Sequence, residues 1–189
     1  MSSEVRKQQE AGRSLRLMFQ DEARFGRISD PRRAWAPPGI RPLVASQIVR
    51  EYSYAYAAVS PHDGVLDSMV LPEVNAEMTS LFLAEVARRH QREFIFMMLD
   101  GAGWHRAGDL VIPEQMRLYR LPARSPELNP VEHVWDEFRE KWLATRLFDC
   151  QDAVDGQVAK GLAALEQDRK RMASLAGFTW IKDIPITPQ

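Results

Sequence analysis

Six apolar residues in a row, Phe94–Leu99 (FIFMML), stop at an aspartate followed by a glycine. A continuous run this short fits a β-strand buried on both faces, which requires layers packed on both sides of a sheet. The chain supplies such layers. Leu15, Leu17 and Phe19 alternate with Arg16, Met18 and Gln20, which predicts a strand ending at Asp21. Residues 24–42 are dense in Arg, Pro and Gly and read as a long ordered loop. Residues 47–60 and 64–71 are rich in β-branched and aromatic residues or alternate in polarity. The turn signal PHDG (61–64) between them predicts an antiparallel hairpin. Asn75 can cap a helix with Met78, Leu81, Phe82 and Val86 on its apolar side. Another short strand is expected at 116–122. One helix is expected from Asn129, and another carries Val154, Val158, Leu162 and Leu165. The charged run at 166–171 reads as a solvated face. The order strand, hairpin, helix, strand, strand, helix, helix predicts an α/β domain with a mixed sheet, and the hairpin excludes a purely parallel, doubly wound one.

Two expected strands end in an acid, Asp21 and Asp100, and the helix from Asn129 opens with Glu132. Ends of central strands are where open α/β sheets place chemistry. Three carboxylates converging there repel and do not all stay ionised unless a cation joins them. Oxygen-only ligands suit Mg²⁺ or Mn²⁺, and two such ions form the clamp used for in-line displacement at phosphorus. Each acid also has a structural reading. Asp21 can be a turn residue, and Asp100 precedes a glycine in a turn signal. Glu132 completes a capping box with Asn129 as N-cap and Pro130 as the first helical residue. Trp135 and Phe138 read as core.

At 189 residues, with 45% hydrophobic and 27% charged residues, the chain reads as a single domain (14–189) behind a flexible lead-in (1–13). The net charge of −1 is uneven. Residues 1–50 carry ten Lys and Arg against five Asp and Glu, a balance of +5 that leaves −6 for the remainder. Such asymmetry permits a local nucleic-acid surface. Arg24, Arg27, Arg32 and Arg33 are candidates for phosphate contacts, with a solvated loop as the alternative. His105, close after Asp100, can contact phosphate or orient a ligand, or bond only to backbone. Cys150 stands alone, which excludes an intrachain disulfide and a cysteine-based zinc cluster. No signal-peptide pattern and no membrane-length apolar run is present, so a cytoplasmic location and no membrane partner are expected.

Three blocks carry a family resemblance: FQDEARFGRISDPRRAWAPPGIRP, LDGAGWH and LPARSPELNPVEHVWDEFREKW. They resemble the signature blocks of transposases of the insertion sequence 630 family, allied to mariner-type elements, over about Leu15 to Leu165. The resemblance maps an acidic triad onto Asp21, Asp100 and Glu132 as catalytic and metal-binding residues. Thirty-one residues separate the last two, close to the family spacing. It implies a ribonuclease-H-like fold and two divalent ions, Mg²⁺ or Mn²⁺. The implied chemistry is cleavage of transposon-end DNA and transfer of the freed 3′-hydroxyl into target DNA, at TA. By position, Phe25 to Arg41 resembles the excursion with which mariner-type relatives clamp paired ends, which implies a homodimer.

The sequence also departs from the family. Only 20 residues precede Asp21, too few for the family's N-terminal helix-turn-helix region. End recognition would then fall to a separate N-terminal DNA-binding product, and weak, non-specific DNA binding is expected of this chain. Ala123 and Arg124 stand where the family has Pro-Tyr, and Arg124 can touch DNA. A second reading is a catalytically silent or repurposed fragment that binds DNA or a protein. A glycoside hydrolase using two of the acids is a third; it lacks aromatic sugar platforms beside them and would not need a third acid.

Overall fold

The structure is a computed structural model that describes residues 4, 6–8, 11–28, 35–41, 43, 46–101, 109–144 and 146–184. Its strands are β1 (Ser14–Ile28), β2 (Ile48–Val59), β3 (Leu66–Leu71), β4 (Glu93–Leu99) and β5 (Met116–Arg120). Its helices are α1 (Ala76–Arg89), α2 (Val131–Phe138), α3 (Gln151–Gln167), α4 (Arg169–Ala176) and α5 (Thr179–Lys182). The strands form one sheet in the order β3-β2-β1-β4-β5. β1, β2 and β3 are antiparallel neighbours, while β4 runs parallel to both β1 and β5. The expected mixed sheet with an antiparallel hairpin is the observed one.

The two faces of the sheet bury different side chains, as period-two alternation requires. Under α1 lie Met18, Tyr56, Ala58, Ile95 and Met97, packed with Phe82, Leu83 and Val86 of the helix. Asn75 caps α1 as expected, its Oδ1 accepting from Met78 N at 2.8 Å. Leu81 departs from expectation: it is 48% exposed, because the buried stripe runs through Thr79, Phe82, Leu83, Val86 and Ala87, one residue (about 100° of helix) away. The opposite face buries Leu17, Phe19, Ala23, Phe25, Phe94 and Phe96 beneath α2 and α3. Val154, Val158, Leu162 and Leu165 of α3 are all buried there.

β1 does not end at Asp21 but continues to Ile28, paired with β2. Ala23 and Phe25 extend the inward alternation, and only the acid at a core-facing position interrupts the pattern. The first residues assigned to the long loop are therefore strand, and they carry Arg24 and Arg27 with them. Beyond β4 the sheet stays three-stranded as far as Arg24, and past it β1 and β2 pair alone as a two-stranded ribbon.

Gln167–Lys170 are exposed, in keeping with a solvated run, but the run also joins two helices. Asp168 caps α4 through Arg171 N, and Glu166 accepts from both the N–H and the hydroxyl of Ser68 at 2.8 and 2.6 Å. That carboxylate covers part of the free edge of β3. α4 and α5 are additions to the expected element order; both are short, four to eight residues, below the length at which apolar periodicity is readable.

Around the C-terminus of α1 the charges are consumed by the fold. His90 places its ring nitrogens 2.7 and 3.0 Å from carboxylate oxygens of Asp67 and Glu93. Arg16 holds Glu93 at 2.7 Å, and Arg89 holds Asp67 at 3.1 Å. Among the described residues the buried Gln20 side-chain amide has no hydrogen-bond partner, and nothing there explains it.

Candidate active site

β1 and β4 pair in parallel from Ser14↔Glu93 to Phe19↔Met98. Two steps further in the same register, Asp100 comes beside Asp21, just where β4 ends. Neighbouring strands lie about 4.8 Å apart, so the two acids start from adjacent backbone positions. Their face is set by alternation. Asp21 pairs with Ala57, which is buried on the α2 side, whereas Glu22 pairs with Tyr56, which is buried under α1. Glu22 thus points to the opposite face, as strand alternation requires.

The third acid arrives on α2. Pro126–Leu128 forms one 3₁₀ turn, after which Asn129 is extended (φ −100°, ψ 104°) and Pro130 is helical. By these dihedrals Asn129 is the N-cap and Pro130 the first helical residue, as expected. The buried Asn129 side chain works in two directions. Its Oδ1 accepts from Val131 N at 3.2 Å, and its Nδ2 donates to Gln20 O at 3.0 Å. The cap therefore ties the start of α2 to the strand residue before Asp21. The other half of a capping box is taken, since Asn129 N–H donates to Pro126 O at 2.9 Å. Glu132 is half-buried at the mouth of the helix, where the dipole favours a negative charge.

One turn along, Trp135 packs fully buried in the core, as expected, and its Nε1 also donates to Asp21 Oδ2 at 3.0 Å. This second role was missed. A tryptophan three residues after Glu132 shares its side of the helix, and that spacing with an indole donor was the available signal.

The charges of the neighbouring acids act on Asp21. Burial first, then the charge of Glu132, then that of Glu22, raise the Asp21 carboxyl from its ordinary 3.8 to about 7; Asp100 adds a weaker push, and the backbone N–H of Glu22 opposes it. Among the described residues, no three His, Cys, Asp or Glu side chains stand close enough to hold one metal ion. The donor chemistry nevertheless fits a hard divalent cation. The groups are all oxygen, and the most buried of them is destabilised as an anion by burial and like charge, which a cation relieves.

The Asp21 shift carries a stability consequence. Below pH 3.8 the carboxyl is protonated whether the chain is folded or not, and the folded state bears no penalty. As pH rises toward 7 only the folded state still holds the proton, so stability falls through that window and stays low above it. In chelator, Asp21→Asn should therefore melt a few °C above wild type at about pH 8 and lose that advantage near pH 4. The full shift would correspond to roughly 4 kcal/mol, and partial exposure of the carboxylate reduces it to about 1–2 kcal/mol, or a few °C in a chain of this size. Thermal melts of the two proteins across pH check the sign and the window.

The other candidates fall in different places. Arg24 is exposed on the face opposite Asp21 and stacks on Tyr52, with its guanidinium carbon 4.4 Å from the ring centre. Arg27 is engaged by the fold, donating to Phe148 O at 3.0 Å and Glu51 Oε2 at 2.9 Å. Arg124 is exposed in the turn before α2, with φ +59°. Arg32, Arg33 and His105 lie outside the described residues. No described helix is long and apolar enough to cross a membrane.

Residues 16–155 match the model of a family described as the DDE superfamily endonuclease. An uncharacterized protein of Sinorhizobium fredii, y4pE/y4sA, is 39% identical over 104 residues, covering 54% of this chain and 77% of the relative. Among solved structures, the Mos1 strand transfer complex aligns at TM-score 0.57 and 17% identity over 94% of this chain. The Mos1 mariner paired end complex with Mn aligns at TM-score 0.56 and 17% identity over 93%. The chain spans about three fifths of the length of those Mos1 chains (59% and 60%). At such identity the likeness is one of fold, and the ribonuclease-H-like arrangement expected from the sequence is the one found.

Proposed function

Because this chain belongs to the DDE superfamily endonuclease family, we propose that it is the catalytic domain of a DNA transposase of the insertion sequence 630 type. Its reaction is cleavage of transposon-end DNA and transfer of the 3′-hydroxyl into target DNA at TA. The single observation that supports this reading is the Asp21 carboxyl, raised to about 7 by burial and by the charge of Glu132 and its other acidic neighbours, with Asp100 beside it in the strand register. A cluster of that kind is costly to a fold and is expected where a cation and a phosphodiester are to be bound.

In this reading Asp21, Asp100 and Glu132 hold a divalent cation, Mg²⁺ or Mn²⁺. The bound ion supplies polarisation of the phosphodiester and lowers the pKa of the attacking water or hydroxyl. Trp135 fixes the Asp21 carboxylate through its indole N–H. Asn129 keeps Glu132 in register with β1, and Pro130 pre-sets the first turn that carries it. No protein nucleophile is required, so one site serves both cleavage and transfer. The site's place where β4 stops beside the middle of β1, with Asp100 exposed, suits a polymer substrate. Manganese in the Mos1 paired end complex supports the choice of ion.

Arg24 and Arg124 are the exposed cations proposed to meet phosphate. The β1–β2 ribbon, with Ile28 and Ile48 exposed, and the exposed Trp35, Ile40 and Leu43 beyond it would provide the contact of a homodimer. Incubation with supercoiled plasmid in Mn²⁺ tests the reading. Nicking by wild type, abolished by chelator and by Asp100→Asn, is the expected result. Nicking that survives both would refer the activity to a contaminant or to metal-free chemistry, and no nicking in any divalent ion would leave the silent-fragment reading standing.

A further inference from the structure

One row of the sheet back from the acids, the surface turns aromatic. Phe19 precedes Asp21 by two residues and so shares its face, at roughly 7 Å along the strand. In the same row β4 contributes Met98 and β5 Tyr119. Phe19 itself is buried, but it is covered by the ring of Trp180 from α5, with centroids 6.4 Å apart and planes at 86°. Trp180 is 46% exposed although its neighbour Ile181 is fully buried. Ile181 anchors the short helix, and the tryptophan is left facing outward. Phe178 lies 6.4 Å from Trp180, and His133, the residue after Glu132, lies 5.0 Å from Phe178. An aromatic surface thus runs from the row bordering Asp21 to the residue following Glu132.

We propose that Trp180, supported by Phe178 and His133, is a stacking platform for an unpaired nucleobase next to the phosphate being cut. This rests on the nucleic-acid reading above and deepens it by naming the form of substrate. A phosphate held at the acids leaves its own nucleotide within reach of the platform. Every base has a π-face for an exposed indole, but within a duplex that face is occupied by its neighbours. The platform therefore selects DNA whose strand is unpaired at the cut. Trp180 is a positioning residue, acting on the base and not on the reacting atoms.

The test uses a short duplex with a single-stranded tail that carries a fluorescent adenine analogue, and the same duplex blunt-ended. Binding and analogue fluorescence are measured for wild type, Trp180→Phe, Trp180→Leu and Trp180→Ala, together with each melting temperature. Wild type should bind the tailed probe about tenfold more tightly than the blunt one and quench the analogue, the size expected of one stacked base. Trp180→Phe should keep most of that preference. Trp180→Leu, which retains an apolar cover for Phe19, and Trp180→Ala should lose it while binding blunt duplex as wild type does. Equal binding of the two probes by wild type, or a preference that survives Trp180→Leu, would overturn the platform and leave the nuclease reading intact. Failure of wild type to bind either probe would remove both.

Discussion

Glu132→Gln will melt within about 2 °C of wild type and will have lost DNA cleavage by roughly a thousandfold or more, the several kcal/mol that charge stabilisation by a held cation supplies. The two halves have separate causes. Glu132 does not bond back to the cap, because the Asn129 N–H is already taken by Pro126 O, and Gln is accepted at this position of a helix about as well as Glu. The substitution forfeits a favourable charge at the helix mouth, worth about 0.3–1 kcal/mol, and in exchange removes the repulsion that raises Asp21. Cleavage has no such compensation, since a neutral amide is a poor ligand for a hard cation. Thermal melts and single-turnover nicking on one preparation check both halves. Unfolding with the activity of the folded fraction intact would return Glu132 to a purely structural role.

Trp135 carries the second large effect, and two substitutions divide it. Trp135→Ala empties a fully buried site in the core beside Phe25, whose ring centre is 5.8 Å away. Loss of so large a side chain costs about 3–5 kcal/mol, and the melting temperature should fall by roughly 10 °C. Trp135→Phe keeps an aromatic ring in place but removes the Nε1 donor from Asp21. It should stay folded while Mn²⁺ affinity and cleavage fall about 10–100-fold, the size of effect seen when a residue that orients a metal ligand is lost. Calorimetric titration of Mn²⁺ into Trp135→Phe reads this directly, and wild-type affinity there would make Trp135 packing alone.

Much of this was legible in the chain because each element carries its own signal. The continuous run of β4, the turn at 61–64 and the spacing of Val154, Val158, Leu162 and Leu165 report local burial, and the structure keeps all of them. The end of β1 was not legible because an acid interrupts the apolar alternation. Asp21 is a polar residue at a core-facing position, and it reads as a stop where the strand in fact continues to Ile28. Arg27 was misread as free surface because its partners, Phe148 O and Glu51, are supplied from elsewhere in the fold. The bond from Trp135 to Asp21 joins residues far apart in sequence and needs the packed helix to be seen. α4 and α5 are too short for periodicity to declare them, so Phe178 and Trp180 gave no warning that they pack against His133 and Phe19.

The most direct measurement is calorimetric titration of Mn²⁺ into wild type and Asp100→Asn, repeated with a nicked duplex present. Saturable binding by wild type, with or without the duplex, that disappears in Asp100→Asn is the predicted result, because the proposal makes Asp21 within β1, Asp100 after β4 and Glu132 at the mouth of α2 one ion-binding site. Indistinguishable titrations of the two proteins in both conditions would contradict it, and would take the catalytic reading of Asp21, Asp100 and Glu132 down with it.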